Sequence, residues 1–260
     1  MKVAIIGGTG VCEVAHLKDT SVLDVETRYG SVRLMKGTYM GHDVLFLPRH
    51  GEAQAVPAHK VNYRANIMSL KQLSVDCILA TSAVGSLNKD MKPGDMAVLD
   101  QFIDFTKGRS YTFFDGQDGR AVYTDVTEPY CPDLRKRILS SGRSLDISMH
   151  PKACYVCTEG PRFETPAEIR MFQYIGGDLV GMTNVPEVTL AREAGICYAA
   201  VATVTNWAAG ISSTHLTHEE VLQVVAANVE NVWKVVFRVI EFLEPDRACD
   251  CCGEPNPVEV

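Results

Sequence analysis

No apolar run in this sequence approaches the roughly 18 residues that a membrane-spanning helix needs. That excludes a helical membrane protein. An excess of basic residues is missing too: 25 Lys and Arg stand against 32 Asp and Glu, a formal net charge of −7. Non-specific nucleic-acid binding rests on neutralising phosphates, so this balance argues against it. A local basic site for one small anion stays open. The N-terminal "MKVAIIGGTG" has one Lys and a short apolar run, then turns into glycine without a small-residue cleavage site. It reads as a first strand rather than a signal peptide, and the cytoplasm is the expected compartment. No Gly-Lys-Ser/Thr follows the glycines, which excludes a P-loop. No repeat or linker interrupts the chain before about Pro245.

What is present alternates. Apolar runs and amphipathic segments follow one another from end to end, the pattern of an α/β protein with a central mixed sheet flanked by helices. "KVAIIGG" reads as a strand, and "SVRLMKGTYMGHDVLFLPRHG" as two strands joined at Met40-Gly41-His42-Asp43. The stretch "GRSYTFFDGQDGRAVYTDVTEPYCP" is too long for a plain connection and reads as a functional or interface loop. Thr165-Pro166-Ala167-Glu168 and Thr217-His218-Glu219-Glu220 are capping boxes that open helices. The second helix carries a core stripe of Val221, Leu222, Val225, Val229, Val232, Trp233, Val236, Phe237 and Ile240. The reading is one domain over residues 1–245 and a Cys- and Pro-rich tail over 246–260.

Nine cysteines are many for a cytoplasmic protein. Cys154 and Cys157 lie in a predicted strand, where residues three apart face opposite ways. They suit neither a zinc knuckle nor a redox turn, and fit better as small buried hydrophobes. The tail "CDCCGEPNP" is polar and expected to be exposed; a redox clip, a metal chelator and a mobile segment all remain open.

Candidate chemistry gathers where strands end. Gly7-Gly8-Thr9-Gly10 fails the dinucleotide spacing, because Glu13 stands at the third glycine position. A turn whose N–H groups and Thr9 hydroxyl cradle a single anion remains. "LFLPRHG" ends in Arg49 and His50, two donors suited to phosphate oxygens. "ATSAVGS" adds Ser82 and the Ala83 N–H. Three further strand ends differ in kind: "TEGPRFETPAE" offers the ring of Phe163 and the carboxylate of Glu164, "GMTNVPE" offers Met182 and Thr183, and "VATVTNWAAG" offers Asn206. A stacking plane, a carboxylate and an amide together suit a purine base.

These segments, in this order, resemble the trimeric purine nucleoside phosphorylase and methylthioadenosine phosphorylase family. The match runs from "IIGGTG" through "RHG", "VNYRAN", "AVGSL", "DQFIDFT", "EPYCP", "EGPRFET" and "GMTNVPEV" to the last helix. The resemblance implies phosphorolysis: a nucleoside and phosphate give the free base and ribose 1-phosphate, or its 5-methylthio analogue. It needs no cofactor or metal, and phosphate is a co-substrate. It puts phosphate on Thr9, Arg49, His50, Ser82, Ala83 and Thr183. It puts the base against Phe163, Glu164, Asn206 and Ala208, with Met182 under the ribose. His218 falls where relatives reach the 5′-hydroxyl, and Tyr123 where a neighbouring subunit supplies an aromatic. Asn206, Glu164 and His50 are thereby the catalytic candidates, in a homotrimer or homohexamer. Cys131 and Cys197 match positions that heat-adapted relatives pair as a disulfide.

Within the family, adenine-using enzymes carry an Asp-Tyr-Asp type sequence after the last strand, whereas this chain reads Thr205-Asn206-Trp207-Ala208. Hypoxanthine and guanine carry an N1–H donor that Glu164 can accept, and the Asn206 amide can serve O6 and N7. Adenine has a bare N1, which faces the carboxylate lone pairs and leaves both unpaired. The expected substrates are inosine and guanosine, followed by 5′-methylthioinosine and then 5′-methylthioadenosine. A non-catalytic nucleoside- or phosphate-binding protein is the alternative from another class.

Overall fold

The computed structural model describes residues 1–11, 16–116, 120–212, 218–244, 249–251, 253 and 258–259. Four strands open the chain: β1 (Lys2–Gly7), β2 (Lys18–Thr27), β3 (Gly30–Tyr39) and β4 (His42–Pro48). Helix α1 (Tyr63–Gln72) leads into β5 (Cys77–Ser86), β6 (Met96–Val98) and β7 (Gln101–Phe105). Among its described residues the long loop holds only the two-residue β8 (Arg120–Ala121) before α2 (Pro132–Ser144). Next come β9 (Met149–His150), β10 (Cys154–Thr158), α3 (Pro166–Tyr174), β11 (Leu179–Gly181) and α4 (Asn184–Glu193). The chain closes with β12 (Cys197–Trp207), α5 (His218–Glu241) and β13 (Val258–Glu259), the last paired with β8.

Apart from the β8–β13 pair, the described strands form one eleven-stranded mixed sheet, whose main path runs β2-β3-β4-β1-β5-β11-β10-β7. Strand β12 lies parallel to β5 and antiparallel to β6. Strand β1 shows why both faces must be covered: Val3 and Ile5 join one buried cluster, Ala4 and Ile6 the other. Strict alternation of apolar side chains on both sides of a strand demands helices above and below the sheet. Residues of α1 and α4 pack with the Ala4 and Ile6 side, residues of α2 and α5 with the Val3 and Ile5 side.

Local signals were obeyed closely. The β3–β4 turn places Met40 and Gly41 both at positive φ, 47° and 82°, as a tight hairpin with right-handed strand twist requires. The Thr165 hydroxyl accepts from the Glu168 N–H while the Glu168 carboxylate accepts from the Thr165 N–H, closing the box that starts α3. The corresponding Thr217 box lies outside the described residues.

Three expectations need correction. Leu222 is 43% exposed; one residue past Val221 turns it about 100° away from the stripe that Val225, Val232 and Val236 continue. The tail is not simply an exposed segment: Cys251 is buried in the α2–α5 core cluster, and Cys249 packs against it. No disulfide joins Cys131 to Cys197. The tail brings Cys249 and Cys251 onto the same spot, so four thiols share the space in which two were expected to pair. Cys157 is fully buried as expected, its thiol pushed up to about 12 by that burial, whereas Cys154 is half-buried.

Candidate active site

A difference in strand length opens the site. Strand β1 pairs with β5 only as far as Ile6 opposite Ala80, while β5 continues along β12 to Ser86. Thr81, Ser82 and Ala83 therefore lie within a strand rather than at its end, with no strand neighbour on the β1 side. The turn after β1 uses that edge. The Gly8 N–H donates to the Thr81 hydroxyl at 2.9 Å, so it is not one of the donors left over for an anion. A Cβ on Gly8 would sit 2.7 Å from the Thr81 carbonyl oxygen and 3.0 Å from Arg49 Nη1. Glycine is needed there for close approach of two backbones.

Arg49 is not a loose donor at a strand end. Its side chain and that of Glu187 are completely buried, joined by two bonds of 2.6 Å from Nε and Nη2. Its Nη1 donates to the Thr81 carbonyl at 2.9 Å. A guanidinium has five N–H groups, so two remain. Glu187 Oε1 also accepts from the Tyr198 hydroxyl at 2.7 Å. Beside it the Asn184 amide donates to Ser82 Oγ at 2.5 Å, which leaves the Ser82 O–H to donate elsewhere.

His50 also departs from the two-donor expectation. Its Nδ1 lies 2.7 Å from the Val56 carbonyl, so that nitrogen carries the proton. Burial and then the neighbouring Arg49 charge lower its pKa. In the neutral ring Nε2 is an acceptor, suited to the O–H of a protonated phosphate or of a sugar.

The other half of the site comes from β10, β11 and β12 and the turns after them. Thr158 donates its hydroxyl to Glu164 at 2.6 Å. Burial, the largest influence, raises the pKa of that carboxyl even though the Thr158 bond opposes it. On β12 the register with β5 shifts between Val204 and Asn206. An extra residue in one strand breaks the alternation of sides, and here both Thr205 and Asn206 line the cavity. The Asn206 amide is held at both ends: Oδ1 accepts from the Thr205 hydroxyl at 2.7 Å and Nδ2 donates to the Trp207 carbonyl at 2.9 Å. One Nδ2–H is left. As held, Asn206 can serve either N7 or O6 by donation, not both.

One cavity of about 230 Å³ is lined by Thr9, Arg49, His50, Ser82, Ala83 and Thr183. The same cavity is lined by Phe163, Glu164, Met182, Asn206 and Ala208. Tyr123 does not reach it and is 83% exposed on the long loop. The side chain of His218 lies outside the described residues, but Val221, on the first turn of the same helix, lines the cavity.

Residues 2–241 match the model of the phosphorylase superfamily. The chain belongs to that superfamily. It is 53% identical over 251 residues to a protein of Dictyoglomus turgidum named probable 6-oxopurine nucleoside phosphorylase, covering 96% of this chain and 95% of that one. It is 47% identical over 255 residues to a Pyrococcus furiosus protein named 6-oxopurine nucleoside phosphorylase, covering 96% of each. The methylthioadenosine phosphorylase of Schistosoma mansoni, solved with adenine, superposes with a TM-score of 0.88 at 35% identity, over 92% of this chain and 90% of that one.

Several residues that build this phosphorylase's site escaped sequence reasoning. Glu187, Asn184 and Tyr198 form the buried frame behind Arg49 and Ser82. The one available signal was a carboxylate among the apolar residues of "VPEV", in the first turn of α4. Arg109 is the other. Its guanidinium donates to the carbonyls of Thr158, Glu159, Met182 and Val185, tying the long loop to the chain on both sides of the base region.

Proposed function

We propose that this enzyme phosphorolyses 6-oxopurine nucleosides, inosine and guanosine first, to the free base and ribose 1-phosphate in purine salvage. The observation that carries the reading is the joint presence of Glu164 and Asn206 in one cavity with Arg49, Ser82 and Thr183. Phosphate is bound by the hydroxyls of Thr9, Ser82 and Thr183, the Ala83 N–H and the two remaining N–H groups of Arg49, with His50 Nε2 accepting the phosphate O–H. Phosphate attacks C1′ from the face opposite the base. The glycosidic bond breaks through an oxocarbenium-like state, next to the phosphate charge that stabilises it. Ionised Glu164 accepts from N1–H and orients the base. The remaining Asn206 Nδ2–H donates to N7, where negative charge collects on the leaving purine. Phe163 stacks on the base, Ala208 borders it, and Met182 lies under the ribose.

The reaction uses phosphate as co-substrate and no further cofactor. The 5′ end of the sugar is assigned to His218 and to Tyr123 of a neighbouring subunit, in a homotrimer or homohexamer working in the cytoplasm. Exposure of an aromatic on a loop that does not reach its own cavity supports an intersubunit role for Tyr123. Among the described residues no helix is long and apolar enough to cross a membrane. A second reading, phosphorolysis of 5′-methylthioinosine, shares the same base contacts and differs only at the 5′ group. The test is hypoxanthine release from inosine by the purified protein with and without phosphate. Release only with phosphate supports the proposal. No release from any purine nucleoside in phosphate leaves a binding protein instead.

A further inference from the structure

Cys131, Cys197, Cys249 and Cys251 come from three distant parts of the chain. Cys131 is the N-cap of α2, Cys197 opens β12, and the other two belong to the tail. Their sulfur atoms all lie within 4.8 Å of one another, and those of Cys197 and Cys249 are 3.4 Å apart. Three of the four side chains are buried and Cys249 is half-buried. A zinc ion bound to four thiolates at about 2.3 Å spaces its sulfurs roughly 3.8 Å apart. A disulfide needs about 2.05 Å, and none of these four cysteines forms one. Hydrophobic packing alone explains one or two buried thiols. It does not explain why four sulfurs converge on one point, two of them on a polar tail reaching back to the sheet.

We propose that Cys131, Cys197, Cys249 and Cys251 form a tetrahedral thiolate site for one structural zinc ion that clips the tail to α2 and β12. Four thiols bind one Zn²⁺ and release four protons to solvent, with no redox change. All-sulfur tetrahedral sets select zinc over hard cations. A fully thiolate, closed site has no open position for substrate, so its work is structural. The position matters to the fold behind the cavity. The Cys131 N–H donates to the Tyr198 carbonyl at 2.8 Å, and Tyr198 holds Glu187.

The proposal is independent of the assigned substrate. The full chain, purified under reducing conditions after growth with zinc, is expected to hold one zinc per chain by elemental mass spectrometry. Cobalt exchanged for zinc is expected to give the visible absorption of a tetrahedral site together with sulfur-to-cobalt charge transfer. The Cys249→Ser/Cys251→Ser variant is expected to lose the metal and retain most of its phosphorolysis. Wild-type protein that takes up no zinc or cobalt when fully reduced overturns the proposal, whatever the variant does. So do metal retained at full stoichiometry in the double variant, and non-reducing peptide mapping that finds these cysteines in disulfides.

Discussion

Arg49 and Glu187 form a two-pronged ion pair with no exposed side-chain surface on either partner. The carboxylate that holds the guanidinium also accepts from Tyr198, so β4, α4 and β12 meet at one charge pair. The pairing fixes the Arg49 orientation and leaves two N–H groups for a ligand. It also offsets much of the arginine's charge, so in the proposed reaction phosphate would meet aimed N–H groups and hydroxyls rather than a bare cation.

Removing one partner of such a pair leaves an uncompensated buried charge. Glu187→Gln is expected to lose about 3–5 kcal/mol of stability, read from urea unfolding in phosphate-free buffer. Added phosphate is expected to restore more stability to the variant than to wild type, because the anion supplies the missing countercharge.

Glu164 works against its own stability. Its folded pKa is raised, so its stabilising contribution is full below the unfolded value of about 4.3 and is lost as pH rises through the folded value. Glu164→Gln carries no charge and is expected to have a higher Tm than wild type at pH 7, the difference shrinking below about pH 4.3. The same change is expected to lower kcat/KM for inosine roughly tenfold or more, since a charge-assisted bond to N1–H becomes a neutral one. It is also expected to remove an acid limb from the pH profile, which burial of Glu164 moves to higher pH than for an ordinary glutamate.

Gly8→Ala drives a Cβ against the Thr81 carbonyl and Arg49 Nη1. Overpacking of this kind costs about 1–3 kcal/mol, measured by thermal or urea unfolding. Because the crowded neighbours include Arg49, KM for phosphate is expected to rise more than kcat falls.

Asn206→Asp exchanges the remaining Nδ2–H donor for an acceptor that suits the adenine amino group. The ratio of kcat/KM for adenosine to that for inosine is expected to rise about tenfold, the worth of one exchanged hydrogen bond. An unchanged ratio removes Asn206 from the base-reading role.

Much of this was legible in the sequence, for identifiable reasons. Strand β1, the Met40-Gly41 turn and the Thr165 box are written in local patterns, which near neighbours decide. The cavity residues stood out because each follows or ends an apolar run. What stayed hidden depends on distant partners. Nothing near Glu187 says that its mate is Arg49, 138 positions away. The Thr205–Asn206 bulge is a mismatch between two strands, so neither strand's pattern contains it. The four-cysteine cluster arises because the tail folds back, and a polar, Pro-rich composition gave no sign of that.

In the proposed function, Glu164 and Asn206 make this a 6-oxopurine enzyme. The most direct test is kcat/KM, at saturating phosphate, for inosine, guanosine, 5′-methylthioinosine, adenosine and 5′-methylthioadenosine. The 6-oxopurine nucleosides are expected to exceed their 6-amino counterparts by about a hundredfold or more, because a buried polar mismatch discriminates strongly. A preference for 5′-methylthioadenosine over both inosine and 5′-methylthioinosine would contradict that function.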